Sequence, residues 1–317
     1  MATYKEIRGT NIEVLASDPS NPVEGQVWFN STDNVLKGQA VTASGAWSTS
    51  GSINSARDTL GGSGTQTAAL IFGGQSPNTG KTESYNGSSW TEVNDLNTAR
   101  NGLGGLGTST SSLAFGGEPV TAVTESWNGT NWTEVSDLGT ARNNLSGAGV
   151  DNTSALAFGG AGPNAQTESW NGSSWTEVND LNTGRGYAAG FGTSTAAIFT
   201  GGLPATAVTE SWNGTNWAEV NDLNTARYAL ATAGRGSTTE GLAYGGYTTT
   251  ALGNTESWNG TNWTELADLN TARNSLAGAG NQTAALAAAG SRSVPAALVS
   301  ENWANAGASQ TKTFTDS

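Results

Sequence analysis

Short apolar runs alternate with polar turns along most of the chain. The clearest runs end in a glycine pair: ALIFGG, SLAFGG, ALAFGG, AIFTGG and LAYGG. Each is preceded by a stretch of small residues (LGGSG at Leu60, LGGLG at Leu103, LSGAG at Leu145, LATAG at Leu230, LAGAG at Leu276) and followed by TESW or TESY, then by a segment opening on a second Trp, such as WTEV. Runs of four to six residues bounded by Gly, Asn and Pro read as strands. The third and fourth are joined by Asn-Gly at Asn86-Gly87, Asn128-Gly129, Asn171-Gly172, Asn213-Gly214 and Asn259-Gly260. Asn-Gly between strand-like segments is a strong hairpin signal, because both residues tolerate positive φ. The pattern therefore predicts four short strands per unit, the first built of small residues.

These units are copies of one another. TESWNGTNWTEVSDLGTAR, Thr124 to Arg142, recurs with few changes from Thr82, Thr167, Thr209 and Thr255. The closing arginines are Arg57, Arg100, Arg142, Arg185, Arg227 and Arg273, at intervals of 42 to 46 residues. Four strands in such a period is the signature of a β-propeller blade. Small residues suit the innermost strand of a radial array, which sits at a crowded axis. The order of Arg, small strand, Gly-Gly strand, aromatic and Trp resembles the kelch repeat, over about Trp47 to Trp303. The resemblance implies an all-β, kelch-like β-propeller, and two aromatic series of six members each, Tyr85 to Trp303 and Trp47 to Trp263, make it six-bladed. The chain opens with a lone fourth strand at Trp47 and ends with a lone third strand at Trp303. Pairing them completes the sixth blade and removes an open edge. Five blades plus decoration is the other count. The expected division is an arm, 1–46; the propeller, 47–303; and a tail, 304–317. With AALAAAG where others have ALAFGG, blade six is expected to be the weakest.

Composition narrows the functions. The 317 residues include 44 Gly and only 12% charged residues, a profile that would suit disorder. Twelve Trp, most at repeat spacing, argue for a packed fold instead. A net charge of −13 disfavours nucleic acid and anionic membranes as partners. With no His and no Cys, a Ser-His-Asp triad, a disulfide framework and the usual zinc or copper sites are excluded, and no cofactor is expected. No secretory h-region and no apolar run of about 18 residues is visible, so membrane insertion is not expected. The Asn-x-Ser/Thr triplets follow from turn chemistry and are not read as glycosylation sites.

The repeated polar residues are the first candidates for chemistry. Glu83, Glu125, Glu168, Glu210, Glu256 and Glu301 recur in the third strands, which suggests one Arg–Glu pair per blade. Asp95, Asp137, Asp180, Asp222 and Asp268 compete for the same Arg. Equivalence in every blade favours a structural role that ties each interblade linker to its neighbour, and no catalytic or metal-binding residue is assigned. A sialidase would cluster its Arg, whereas these are spread around the ring. Paired carboxylates for glycan hydrolysis remain a weaker reading. A multivalent lectin using repeated Arg, Glu and Trp is the main alternative.

One rim varies from unit to unit. The linkers between second and third strands, QSPNTGK, EPVTAV, AGPNAQ, LPATAV, YTTTALGN and SRSVPAALV, differ while the Asn-Gly turns barely change. Variable loops on a rigid frame are a common binding surface. Candidate ligand-facing positions are Asn78, Glu118, Asn164, Pro204, Tyr247 and Arg292.

Residues 1–46 lack the repeat. Ser17–Gly25 reads as a connector, and Val27–Asn30 with Val35–Lys37 as a hairpin around a turn at 31–34. A lone hairpin is marginal in water, so it needs something to pack on. NPVEGQVWFNSTDNVLKG, Asn21–Gly38, resembles N-terminal segments of bacteriophage virion proteins with kelch-like repeats, particularly marine ones. That resemblance implies a non-enzymatic virion protein (fibre, tail or head decoration) assembled in the host cytoplasm and exposed on the particle. Residues 1–46 would hold other virion proteins, and the propeller a host-surface glycan or protein. A homo-oligomer would have to use the arm or the propeller faces.

Overall fold

The structure, a computed structural model, describes residues 12–19, 26–40, 45–75, 77–291, 297–305 and 310–314. Every regular element among them is a β-strand, and the strands form seven four-stranded sheets. The chain divides into two compact units, one of residues 1–46 with 305–317, the other of 47–304.

The smaller unit holds one sheet. Val27–Asn30 and Val35–Ala40 form the expected hairpin, and Glu13–Leu15 lies parallel to its first arm. Gln310–Phe314 pairs antiparallel with Val35–Ala40, so the segment expected as a tail is a strand of this sheet. Trp28 is fully buried, and its Nε1 donates to Asp18 Oδ1 at 3.0 Å. Asp18 also accepts from Asn30 and Lys37, and these contacts hold its carboxyl down at about 2. Of the connector at 17–25, residues 20–25 lie outside the described residues.

The larger unit holds the other six sheets, a propeller-like array in which one pattern recurs. Five are continuous in sequence. The second, for example, contains Gly104–Thr108, Ser111–Phe115, Thr124–Trp127 and Trp132–Val135, all antiparallel. The sixth joins Ala277–Gly280, Ala284–Ala288 and Ser300–Ala304 to Ala46–Thr49 from the other end of the unit. The second strands are the core: Leu113, Ala114 and Phe115 are fully buried, as are their counterparts in the other sheets. Continuous apolar runs such as SLAF are read here because both faces of the strand are covered by neighbouring sheets.

Two backbone hydrogen bonds recur at all six junctions between sheets. In one, the second Gly of each pair, or Gly290 after Ala289 in the sixth unit, donates to the carbonyl of the next unit's Arg: Gly74 to Arg100, Gly117 to Arg142, Gly160 to Arg185, Gly202 to Arg227, Gly246 to Arg273, and Gly290 to Arg57. In the other, Gly102 donates to Thr59, Asn144 to Gly102, Tyr187 to Asn144, Ala229 to Tyr187, Ser275 to Ala229, and Thr59 to Ser275, at 2.6–3.0 Å. Each series returns to its start. The residues of the second series all have φ between 51° and 58°, because each must present its N–H and C=O to opposite neighbours.

Glycine serves most of the positions where sheets meet, with Ala289 at φ 60° and Thr232 in the equivalent places of the sixth and fifth sheets. A Cβ on Gly116, at φ 64°, would lie 2.6 Å from the Arg142 carbonyl oxygen. One on Gly62 would lie 2.9 Å from the Gly278 oxygen of the neighbouring first strand. Backbone contact of this closeness explains the small-residue runs.

Candidate functional site

The repeated charges are paired inside the protein. The Arg–Glu distances are 2.6 Å for Arg57–Glu83, 2.5 Å for Arg100–Glu125, 2.9 Å for Arg142–Glu168, 2.5 Å for Arg185–Glu210, 3.1 Å for Arg227–Glu256 and 3.1 Å for Arg273–Glu301. All twelve residues are buried. Burial pulls Arg142, Arg185 and Arg227 below the ordinary arginine value, and the facing glutamates oppose it. The second glutamate oxygen accepts from the backbone of the linker leaving the preceding sheet, as from Asn97 at 2.7 Å, Asn182 at 2.7 Å and Asn270 at 2.8 Å. The Asn side chain then reaches the Trp carbonyl of the next sheet, Asn97 to Trp132 and Asn182 to Trp217. The aspartates do not compete for Arg: Asp95, Asp137, Asp180 and Asp222 each accept from the N–H that opens a third strand.

The Trp residues are also committed to packing. Trp47 and Trp303 are buried against each other at 5.5 Å between centroids, as Trp127 and Trp132 are at 5.3 Å. The Trp that opens a fourth strand donates to the hydroxyl that opens the preceding sheet's third strand. Trp132 bonds Thr82, Trp175 bonds Thr124, Trp217 bonds Thr167, Trp47 bonds Thr255 and Trp90 bonds Ser300. Trp263 is the exception: its Nε1 has no partner, and Thr209 is bonded to Thr200 at 2.8 Å. Thr200 stands where the other sheets have Phe, Tyr or Ala.

The first strands of the six sheets together line a cavity of ≈ 190 Å³. Its walls are mostly Gly, Ala and Leu. At the ends of these strands the 234–236 backbone is tied to both neighbouring sheets, Arg235 donating to Gly280 and Gly236 to Gly192, and the Arg235 guanidinium reaches on to the third sheet, its Nε donating to Val150 at 3.2 Å. Burial lowers Arg235, which sits near Asp151. At the starts of the strands the opening is framed by the ring of positive-φ residues, and the described residues of the variable linkers lie on this side.

The candidate rim residues divide. Asn78, Glu118, Asn101 and Asn143 form one network: Asn101 donates to Asn78 Oδ1 at 2.6 Å, Asn78 to the Glu118 carbonyl at 3.4 Å, and Asn143 to the Glu118 carboxylate. Asn164 is used locally, accepting from Gln166 N at 2.9 Å. Pro204 follows the exposed Leu203. Arg292 lies outside the described residues. Tyr247 pairs with Tyr228 in an isolated bridge, with ring centroids 5.5 Å apart, and Tyr228 in turn meets Tyr187 at 6.3 Å. Tyr187 and Tyr228 are not singled out by sequence reasoning. Their signal is positional: Tyr187 stands where other units have Thr59, Gly102, Asn144, Ala229 or Ser275.

No protein-family model matches the chain, and a search of curated proteins finds no match.

Proposed function

We propose that residues 47–304 are a six-bladed, kelch-like β-propeller closed by strands from both ends, and that the chain is a non-enzymatic structural protein of a bacteriophage particle. In this reading the propeller binds a host-surface glycan or protein, or a neighbouring virion protein, and residues 1–46 attach it to the particle. One observation carries the binding role: the charged and aromatic residues that repeat are buried and bonded to one another, while the side chains that differ between units gather at one mouth of the ring. The two closed series of backbone hydrogen bonds support six blades. The particle assignment rests on the resemblance of Asn21–Gly38 to virion proteins. A lectin stacking sugars on the repeated Trp, or a hydrolase using the repeated Glu, draws less support, since those side chains face neighbouring sheets.

Immunogold microscopy of purified particles, with an antibody against residues 47–304, tests the reading. Gold on the tail, fibres or head is expected. Unlabelled particles with the protein left in the soluble fraction would overturn it. Loss of incorporation on deleting residues 1–40 is expected, and unchanged incorporation would remove the attachment role.

A further inference from the structure

We infer that Tyr187, Tyr228 and Tyr247 form the contact face of a site for an uncharged oligosaccharide, at the mouth of the ring opposite Arg235. This deepens the reading of the propeller as a ligand-binding module and rests on it.

The three tyrosines break the sixfold pattern at one place. Elsewhere the bridge equivalent to Tyr228–Tyr247 is made by Asp58 with Gln75, Asn101 with Glu118, Gly186 with Leu203, and Asn274 with Ser291. At this mouth, among the described residues, three aromatic rings meet only between the fourth and fifth sheets, and unlike the ring clusters of the core all three residues are half-buried. A backbone need does not explain them. Tyr187 has φ 55°, but all six residues of this series lie between 51° and 58°, and Thr59, Gly102, Asn144, Ala229 and Ser275 fill the position without an aromatic ring. A half-buried ring kept at one copy of a repeated position, where the backbone does not call for it, points to a use for that side chain.

The surroundings select the ligand. The Tyr187 N–H donates to Asn144, which with Tyr187 also borders the cavity, and Asn143 and Glu118 continue the mouth on the far side. Aromatic faces, with amides and a carboxylate farther round the same mouth, suit a ligand with apolar C–H faces and hydroxyls that both donate and accept. Tyr supplies such amphipathic contact with little loss of rotamer freedom. The described Arg of the repeats are paired with Glu, Arg235 occupies the other mouth, and the chain carries −13. That balance favours a neutral glycan over a sulfated, phosphorylated or sialylated one. With the Arg235 side chain reaching over the other end to Val150, the ligand enters on the tyrosine side.

The other repeats supply the substitutions for the test. Tyr187→Asn, Tyr228→Asn and Tyr247→Gln place at each position a residue that an equivalent unit already uses (Asn144, Asn101 and Gln75). The combined variant of the full chain is expected to melt no lower than the wild type, since Asn is favoured over Tyr at positive φ. Both proteins are applied to an array of neutral and acidic oligosaccharides and, separately, to host cells. Wild-type binding to neutral glycans, weakened at least about tenfold in the folded variant, supports the inference. Equal binding by the variant overturns the tyrosine site and leaves the ligand-binding reading standing. Binding to host cells with none to any glycan, or binding only to acidic glycans, overturns the neutral-sugar assignment alone. No binding to cells or array overturns the inference together with the host-ligand reading beneath it.

Discussion

The sheet that contains Trp132 is cut from one continuous stretch, 104–135, whereas the sheet that contains Trp47 is assembled from 277–304 and 46–49. Their junctions are nonetheless built alike. Asn97 reaches the Trp132 carbonyl at 3.1 Å, and Asn270 reaches that of Trp47 at 2.8 Å. Trp132 donates to Thr82, and Trp47 to Thr255, which is 208 residues away in sequence. Chain continuity is thus not what holds a sheet in place; the bonds to its two neighbours are. The difference lies inside the sheets. Leu113, Ala114 and Phe115 fill the second strand of the continuous one, while Leu286, Ala287 and Ala288 fill that of the composite one, so Ala stands in place of Phe. Less apolar area is buried there, so the composite sheet is expected to depend more on its junctions.

Removing the borrowed strand should have the largest effect. Deletion of residues 45–50 takes away Trp47 and leaves Ser300–Ala304 as an open edge, at a cost of about 5 kcal/mol or more from the lost aromatic alone with its strand. Calorimetry should show a lower, broader transition and the protein should aggregate. A sharp transition at the wild-type temperature would mean that the sixth sheet stands without its fourth strand.

Breaking the ion pair should be nearly as severe in either sheet. Arg100→Met or Arg273→Met leaves Glu125 or Glu301 buried without its charge partner, and each should cost about 3–5 kcal/mol in urea titrations. Replacing both partners, Arg100→Met with Glu125→Leu, should recover most of the loss. No recovery would show that the backbone contacts of the glutamate outweigh its charge.

The Trp series offers a finer distinction. Trp132→Phe and Trp47→Phe each lose a buried hydrogen bond, whereas Trp263→Phe loses none. The first two should therefore cost about 0.5–1.5 kcal/mol more than the third. Equal costs for all three would mean that ring volume, not the Nε1–H donor, sets the value of these residues.

The smallest effect belongs to the exposed network of the smaller unit. The Asp18 carboxyl is held at about 2 by Asn30, Lys37 and Trp28, below the unfolded value of about 3.9. A depressed folded value stabilises above about pH 4, and that contribution is lost as pH falls through about 2. The Trp28 indole N–H resonance should shift over this window and should lose that dependence in Asp18→Asn.

Much of this was legible in the residues. Asn-Gly, Gly-Gly and the Trp spacing locate the strands, and the phase difference between Trp47 and Trp303 implies a composite sheet. The Arg–Glu partnership is legible because both recur at fixed distance. Asp95 and its equivalents are ambiguous in sequence, since a carboxylate three-dimensionally near an Arg and one bonded to a backbone N–H leave the same trace. Gln310–Phe314 and Glu13–Leu15 are hidden because short, largely polar strands carry little periodic signal. Of the tyrosines only Tyr247 stands out, in a linker of unusual length. Tyr187 and Tyr228 lie 60 and 19 positions away along the chain and become neighbours only once the fourth and fifth sheets are side by side.

Closure through the two ends is the claim on which both the buried frame and the variable mouth depend. The chain has no cysteine, so a designed pair gives an unambiguous readout. Ser48 Oγ donates to the Asn302 carbonyl at 3.3 Å, and the corresponding pair in the continuous sheet is Ser126 opposite Thr133. Ser48→Cys with Asn302→Cys should oxidise to a monomeric, intramolecular disulfide as readily as Ser126→Cys with Thr133→Cys, seen as a mobility shift on non-reducing gels. A disulfide in the second variant, with only free thiols or crosslinked dimers in the first, would contradict the closed ring.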